Sequence, residues 1–320
     1  MNFDISSEQN ILQDSVDRFV QDHYELDKRQ LLVLTEQGFS NDNWQTMAEL
    51  GWLGVSVPEA HGGFGGNEID TMILMQAFGK GLVLEPFFAS TVLGAKAIAD
   101  GGSEDLKTKM LPGVVDGSRQ LTFAYAEAQS RFDLNDIVTR AQRDGDDYVI
   151  NGHKSMVLHA ASAHQIVVST RTSGGQAEQA GISLFLIDAD AAGVEITSFP
   201  TVDGQQAAEI KLEGVKVPSS RLLGALDQGY ELLNSVATAG ILALAAEAVG
   251  AMEILYKDTV AYTQEREQFD HALSDFQVLQ HRMVDMFMEY EQCKSLLYRA
   301  TLEVVQNSTG AQRSVHALKY

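Results

Sequence analysis

Along the first third of the chain, apolar side chains recur at the three-and-four spacing of helices that bury one face. Leu12, Val16, Phe19 and Val20 make the first such face, and Ser6 with Gln9 three positions on is spaced as a capping box that starts it. Asn41 or Asp42 is placed to cap a second helix, which carries Trp44, Met47, Ala48 and Leu50 and closes at Gly51. Ile69, Met72, Ile73 and Gln76 to Phe78 cue a third. A fourth begins at Pro86 and ends at Gly101-Gly102, and a short fifth begins at Ser103 with Glu104 and Asp105 in its first turn.

Around Asp116-Gly117 the period shortens to two. Tyr148 to Ile150, Ile166 to Thr170, Ile182 to Ile187 and Val194 to Ile196 are short runs of this kind. Ile210, Leu212, Val215 and Val217 alternate with outward-facing Lys211, Glu213 and Lys216. Together they predict half-buried antiparallel strands. After Pro218 and Asp227 the helical period returns. Leu232 to Tyr256 reads as one helix, Met283, Met286, Phe287, Tyr290, Cys293, Leu297, Ala300 and Val304 mark a second, and Ala311 to Tyr320 begins a third. The predicted fold is α+β: an N-terminal all-helical domain (1–117), a central antiparallel β domain (118–226) and a C-terminal helical domain (227–320). Two long helices and a stub fall short of the four-helix bundle that would cover the apolar face from Val236 to Val249. The bundle is therefore expected to be incomplete, either truncated or covered by a partner.

Composition narrows the partners. A net charge of -21 would repel nucleic acid and anionic membranes, so neither is an expected partner. The longest apolar run, Val236 to Ala246, is shorter than the roughly 20 residues of a membrane span, and Met1 to Asp4 does not open a signal peptide. A cytoplasmic protein is expected. Cys293, the single cysteine, precludes an intrachain disulfide and sits in the apolar stripe as a packed thiol. His153, His159 and His164 lack companions at metal spacing, so no metal site is expected.

Candidate chemistry concentrates in the break between the last two long helices, Tyr262 to Gln277. It presents the cation Arg266, then Gln268 and Phe269, then Phe276 and Gln277 at the next helix start. A guanidinium forks onto phosphate oxygens, an aromatic ring covers a flat heterocycle, and amides at a helix N-terminus donate to what remains. Arg266 lies between Glu265 and Glu267, however, and on local evidence such a residue is more often a solvated charge compensating the helix dipole. A second stretch, Leu50 to Gly66, is glycine-rich, but no three of its glycines fit Gly-x-Gly-x-x-Gly. Val55 to Val57 and the glycines beyond it therefore read as a tight connector using positive φ rather than as a dinucleotide fold.

Arg266-x-x-Phe269 with Phe276-Gln277 seven residues on resembles the adenine-dinucleotide contact of acyl-CoA dehydrogenases, flavoproteins in which this turn reaches a neighbouring subunit's FAD. Leu50-Gly51-Trp52-Leu53-Gly54 with Pro58-Glu59 and Gly62-Gly63-Phe64-Gly65 is similar to a connector of the same family, and the order helices, strands, helices matches throughout. The resemblance implies an FAD-dependent α,β-dehydrogenation of an acyl-CoA, with hydride passing to flavin N5 and electrons then to electron-transfer flavoprotein. Phe123 to Asp133 sits where the family carries Thr-Glu-Pro-Gly-Ala-Gly-Ser-Asp; Glu127 and Asp133 match, while Ala126 replaces a flavin-holding threonine and Phe132 a serine that touches pantetheine. Asn151-Gly-His-Lys-Ser-Met-Val-Leu-His159 fits a second flavin segment, with Met156 for tryptophan and Leu158 for threonine. Phe132, Thr238 and Ile241 are the implied substrate contacts. The family's glutamate base would fall at Gly240 or beyond residue 320, so no catalytic base is assigned.

Within the family the chain is most like the small subunit of pimeloyl-CoA dehydrogenase type enzymes. That likeness rests on Phe64-Gly-Gly, Gly81 to Pro86, Ser130-Arg131 with Asp133-Leu134, Lys154 to His159, and Phe276 to His281 with Val284 to Phe287. It implies a homo-oligomer or a hetero-oligomer with a large acyl-CoA dehydrogenase subunit. Two alternatives stay open: a non-catalytic partner subunit, and an acyl-CoA oxidase on the same fold.

Overall fold

A computed structural model describes residues 5–318; Met1 to Asp4 and Lys319-Tyr320, on which the signal-peptide and last-helix expectations partly fall, lie outside the described residues. Helices lead the chain: α1 (Ser7–His23), α2 (Leu26–Val33), α3 (Asn41–Glu49), α4 (Glu68–Gly81), a π-helical segment (Phe88–Ala95), α5 (Lys96–Gly101) and α6 (Glu104–Val115). Strands follow: β1 (Leu121–Ala124), β2 (Arg140–Asp144), β3 (Asp147–Leu158), β4 (Gln165–Arg171), β5 (Ile182–Asp188), β6 (Val194–Pro200), β7 (Gln206–Pro218) and β8 (Leu222–Leu223). Then come α7 (Tyr230–Glu265), a small hairpin of β9 (Glu267–Gln268) and β10 (His271–Ala272), α8 (Gln277–Val305) and α9 (Ala311–Ala317). By packing, the chain forms two compact units, one of residues 1–29, 67–83 and 241–320, the other of 30–66 and 84–240.

In the first unit the capping box stands as predicted: the Gln9 N–H donates to Ser6 Oγ and the Ser6 N–H to Gln9 Oε1. α1 is tied to α4 by Gln9 to Asp70 at 3.0 Å and by Lys80 to Asp17 at 2.8 Å. α4 and α7 meet backbone to backbone, because a Cβ at Gly79 would fall on the Glu247 carbonyl and one at Gly250 on that of Gln76. Leu242, Ala300 and Val315 form a core with Ile241, Val304 and Leu318, so α9 closes over α7 and α8. This corrects the expectation of an uncovered face. Val236, Leu242, Ala243, Ala246 and Val249 are all buried. α7 is long and apolar enough in one stretch to suit a membrane span, and 44% of that stretch is buried inside the protein. Cys293 is half-buried.

The second unit holds the sheet, ordered β6-β7-β3-β2-β4-β5-β8, with β1 beside β4. Most pairings are antiparallel as expected, but β1 runs parallel to β4, Leu121 opposite Gln165. β4 and β5 are buried along nearly their whole length rather than on one face. Lys211, Glu213 and Lys216 do face solvent.

Two local expectations change. Ser40, not Asn41 or Asp42, caps α3: its backbone is extended and its Oγ accepts the Asn43 N–H at 3.2 Å. The helix expected from Pro86 to Gly102 is π-helical over Phe88–Ala95, where Gly94 seats Leu121 and Ser90 Oγ accepts the Leu121 N–H at 3.0 Å. Val55 to Val57 belong to a tight connector, as the sequence implied, and form no strand. The connector folds on itself through Phe64 N–H to Gly54, Gly65 N–H to Val57 and Gly66 N–H to Val55, with Gly51 and Gly62 at positive φ as predicted.

Candidate functional site

The site on the sheet unit grows from one buried ion pair. Lys154, fully buried in β3, places Nζ 2.7 Å from Glu127 Oε1 and 2.9 Å from Ser169 Oγ. Glu127 also accepts the Val138 and Thr139 N–H groups at 2.8 and 3.1 Å and the Gln129 amide at 2.9 Å. Burial alone would raise the Glu127 pKa, but Lys154 and these donors hold it down at about 2. Burial lowers Lys154 to about 8 against the pull of Glu127. At neutral pH both are charged, and the pair fixes the segment after β1 to the end of β3.

Just past Lys154 the β3–β7 register breaks. Lys154 pairs with Ile210 and Val157 with Ala208, leaving Ser155 and Met156 as a bulge outside the ladder. The Ser155 N–H turns to the Ala126 carbonyl at 2.9 Å, and Met156, at φ 55, is 53% exposed. Ala126 and Met156 are thereby neighbours on one exposed surface. Leu158 closes the same segment: its carbonyl takes the Thr122 hydroxyl at 2.6 Å, and it is half-buried. His159, buried and at φ 51, meets Gln205 Oε1 through Nε2 at 2.7 Å, while its Nδ1 has no partner; burial lowers its pKa. Phe132 is 90% exposed at the tip of the same segment.

The α7 positions fall differently. Gly240 is buried, and a Cβ there would lie 3.0 Å from Leu93 Cδ2 and 3.6 Å from Phe88 Cζ, so a side chain would need Leu93 to give by a few tenths of an ångström. Thr238 is half-buried with its hydroxyl on the Asn234 carbonyl at 2.8 Å. Ile241 packs into the core with Ala300 and Val315.

The predicted turn is a two-residue hairpin, with Gln268 opposite His271 and both Phe269 and Asp270 in the left-handed region. A bulky aromatic rarely adopts that conformation, and Phe269 is 85% exposed. Phe276 is the N-cap of α8, with its ring 6.5 Å from that of Phe269 in an edge contact, and Gln277 opens the helix exposed. Arg266 and Gln268 are exposed, and among the described residues the Arg266 guanidinium has no ion-pair partner. Of Arg266, Gln268, Phe269, Phe276 and Gln277, the hairpin brings the Phe269 and Phe276 rings into edge contact, and the Leu273 N–H to Arg266 carbonyl bond at 2.8 Å closes it.

The family models for the acyl-CoA dehydrogenase N-terminal, middle and C-terminal domains match residues 6–118, 122–215 and 227–320. The chain belongs to the acyl-CoA dehydrogenase family of oxidoreductases. It is 30% identical to the probable acyl-CoA dehydrogenase YngJ of Bacillus subtilis, over 94% of this chain and 80% of that protein. Among solved structures it resembles the FAD complex of PigA (26% identity, TM-score 0.91, 100% of this chain and 84% of that one). It also resembles the ChsE4-ChsE5 complex of Mycobacterium tuberculosis (25% identity, TM-score 0.89, 99% and 83%). The expected absence of part of the C-terminal domain finds no support, since the C-terminal domain model matches 227–320.

The residues present fit a flavin on chemical grounds. The exposed Met156 thioether beside Ala126 offers an apolar face for a flat ring, and the bulge leaves the Met156 peptide outside the ladder, where it can serve a polar edge. The hydroxyls expected from the family are absent at Ala126 and Leu158. Sequence reasoning missed the Lys154–Glu127 pair. Both letters matched the family pattern, and two opposite charges within otherwise apolar or small-residue runs were the available signal.

Proposed function

We propose that this chain is an FAD-dependent acyl-CoA dehydrogenase subunit catalysing α,β-dehydrogenation of an acyl-CoA thioester. The observation that carries the reading is the exposed bulge at Met156, held against Ala126 by the buried Lys154–Glu127 pair. When bound, FAD supplies the acceptor for the β-hydride. Met156, Ala126 and Leu158 would face its ring, and Arg266, Gln268, Phe269, Phe276 and Gln277 would meet the dinucleotide of a neighbouring copy or partner. Phe132, Thr238 and Ile241 would contact substrate. Electron-transfer flavoprotein is the proposed acceptor, and the proposed location is cytoplasmic.

The first test is flavin per chain by visible absorption, followed by bleaching on addition of acyl-CoA thioesters of several lengths. Bound flavin that bleaches supports the reading. Protein that takes up no flavin, alone or with a large acyl-CoA dehydrogenase subunit, sinks it.

A second reading, a non-catalytic member of a heteromeric pair, is favoured by Gly240. General-base removal of an α-proton needs a group within reach of it, and Gly240, where the family resemblance would put a carboxylate, has no side chain. FAD binding without bleaching, restored by a partner that carries a carboxylate, would select this reading.

A further inference from the structure

Arg171, the last residue of β4, is 2% exposed, yet among the described residues no carboxylate lies at ion-pair distance from it. Its fork ends instead on three backbone carbonyls: Nη1 donates to Ala180 at 2.7 Å, and Nη2 to Asn135 and Gln176 at 2.8 Å each. Nε is buried without a partner. Burial pushes its pKa down, and the charges of Glu178, Asp136 and Glu127 push back. An apolar side chain of similar volume would fill this space without the desolvation cost. It could not hold three carbonyls in one plane, which a guanidinium does through its rigid fork.

Those carbonyls belong to two loops. Asn135 lies in the segment between β1 and β2, whose tip is Phe132; Gln176 and Ala180 lie in the β4–β5 connection. The loops are cross-bonded by the Ile137 N–H to the Gln176 carbonyl at 3.1 Å and by the Gln176 amide to Asp136 Oδ1 at 2.6 Å. On its other side the β4–β5 connection is anchored where the Thr172 and Ser173 hydroxyls donate to Asp227 Oδ1 at 2.6 and 2.7 Å. Glu127 and Lys154 set the inner end of the 127–139 segment; the Arg171 guanidinium reaches its outer part at Asn135, while the Arg171 backbone N–H donates to the Thr139 carbonyl at 2.7 Å.

We propose that Arg171 is a positioning residue that sets the outer half of the 127–139 segment, and with it Phe132, for the pantetheine end of a CoA thioester. The substrate side of this inference rests on the function proposed above; the hold on the segment does not.

Amide hydrogen exchange on the purified protein tests the hold directly. In Arg171→Met, peptides covering 130–138 should exchange about tenfold faster while β5 is unchanged, the scale expected for losing hydrogen bonds to a charged donor. Arg171→Lys keeps the charge but not the fork and should behave alike; full rescue by lysine overturns the role of the fork. Arg171→Lys also carries the test if Arg171→Met does not fold, since it removes the same fork. Unchanged exchange at 130–138 in the folded variants overturns the proposal. In FAD-loaded protein, Arg171→Met should weaken butyryl-CoA binding about tenfold and leave the FAD dissociation constant alone, whereas equal loss of both would mean general loosening and overturn it. Wild-type protein that binds no CoA thioester overturns the substrate-facing role together with the proposed function, and the exchange result still decides whether Arg171 holds the segment.

Discussion

Lys154 and Glu127 face each other across 2.7 Å with neither side chain reaching solvent, and they come from separate stretches of the sheet unit. Removing one partner strands the other as an uncompensated buried charge. Lys154→Met should therefore cost about 3–5 kcal/mol, while the double variant Lys154→Met/Glu127→Gln recovers most of the loss. Denaturant titration of the three proteins checks this, and a double variant no better than the single one would refute it.

The same pair gives an acid limb to stability. Glu127 is held at about 2 in the folded chain against 4.5 ordinarily, so on acidification the unfolded chain takes up the proton first. Its stabilising contribution is complete above pH 4.5 and is lost as pH falls toward 2. Glu127→Gln should flatten that part of the curve of stability against pH, measured by denaturation between those limits.

Gly79 and Gly250 let α4 and α7 touch backbone to backbone. Glycine to alanine inside a helix ordinarily gains up to about 1 kcal/mol. Here Gly79→Ala or Gly250→Ala should instead lose about 1–3 kcal/mol, because the methyl group would lie on a carbonyl of the facing helix. Thermal unfolding gives the sign.

Arg266 is exposed and free of ion pairs among the described residues, so Arg266→Ala should leave stability within about 0.5 kcal/mol of the parent. Flavin retention should nevertheless fall by at least tenfold, the scale of a charge-assisted hydrogen bond lost. Undiminished flavin content in the assembled oligomer would remove Arg266 from the site.

What the sequence made legible is what periodicity and local chemistry encode. The helical faces of α1, α4 and α8, the Ser6 capping box and the break between α7 and α8 at Arg266 all depend on neighbours in the chain. α2 escaped notice because it buries no residue and so carries no apolar period. The π-helical turn at Phe88–Ala95 and the bulge at Met156 depend on what packs opposite, Leu121 in one case and the β7 register in the other. The pairing of Lys154 with Glu127 and the carbonyl cage of Arg171 join segments that no local pattern links. At the candidate site, residue identities were readable but not the backbone departures that expose them.

The compact unit of residues 1–29, 67–83 and 241–320 is gathered from three stretches of chain. On a ribosome its first two stretches emerge well before the third. At about 5–20 residues per second, the roughly 160 residues between them delay completion by about 8–30 s. During that interval α1 and α4 present Val16, Phe19, Met72 and Ile73 with no α8 yet made to shield Met72, whereas the sheet unit can close as soon as residue 240 is out. Newly made chains are thus most vulnerable to aggregation and chaperone capture through their earliest helices, even though those four side chains are buried in the finished protein.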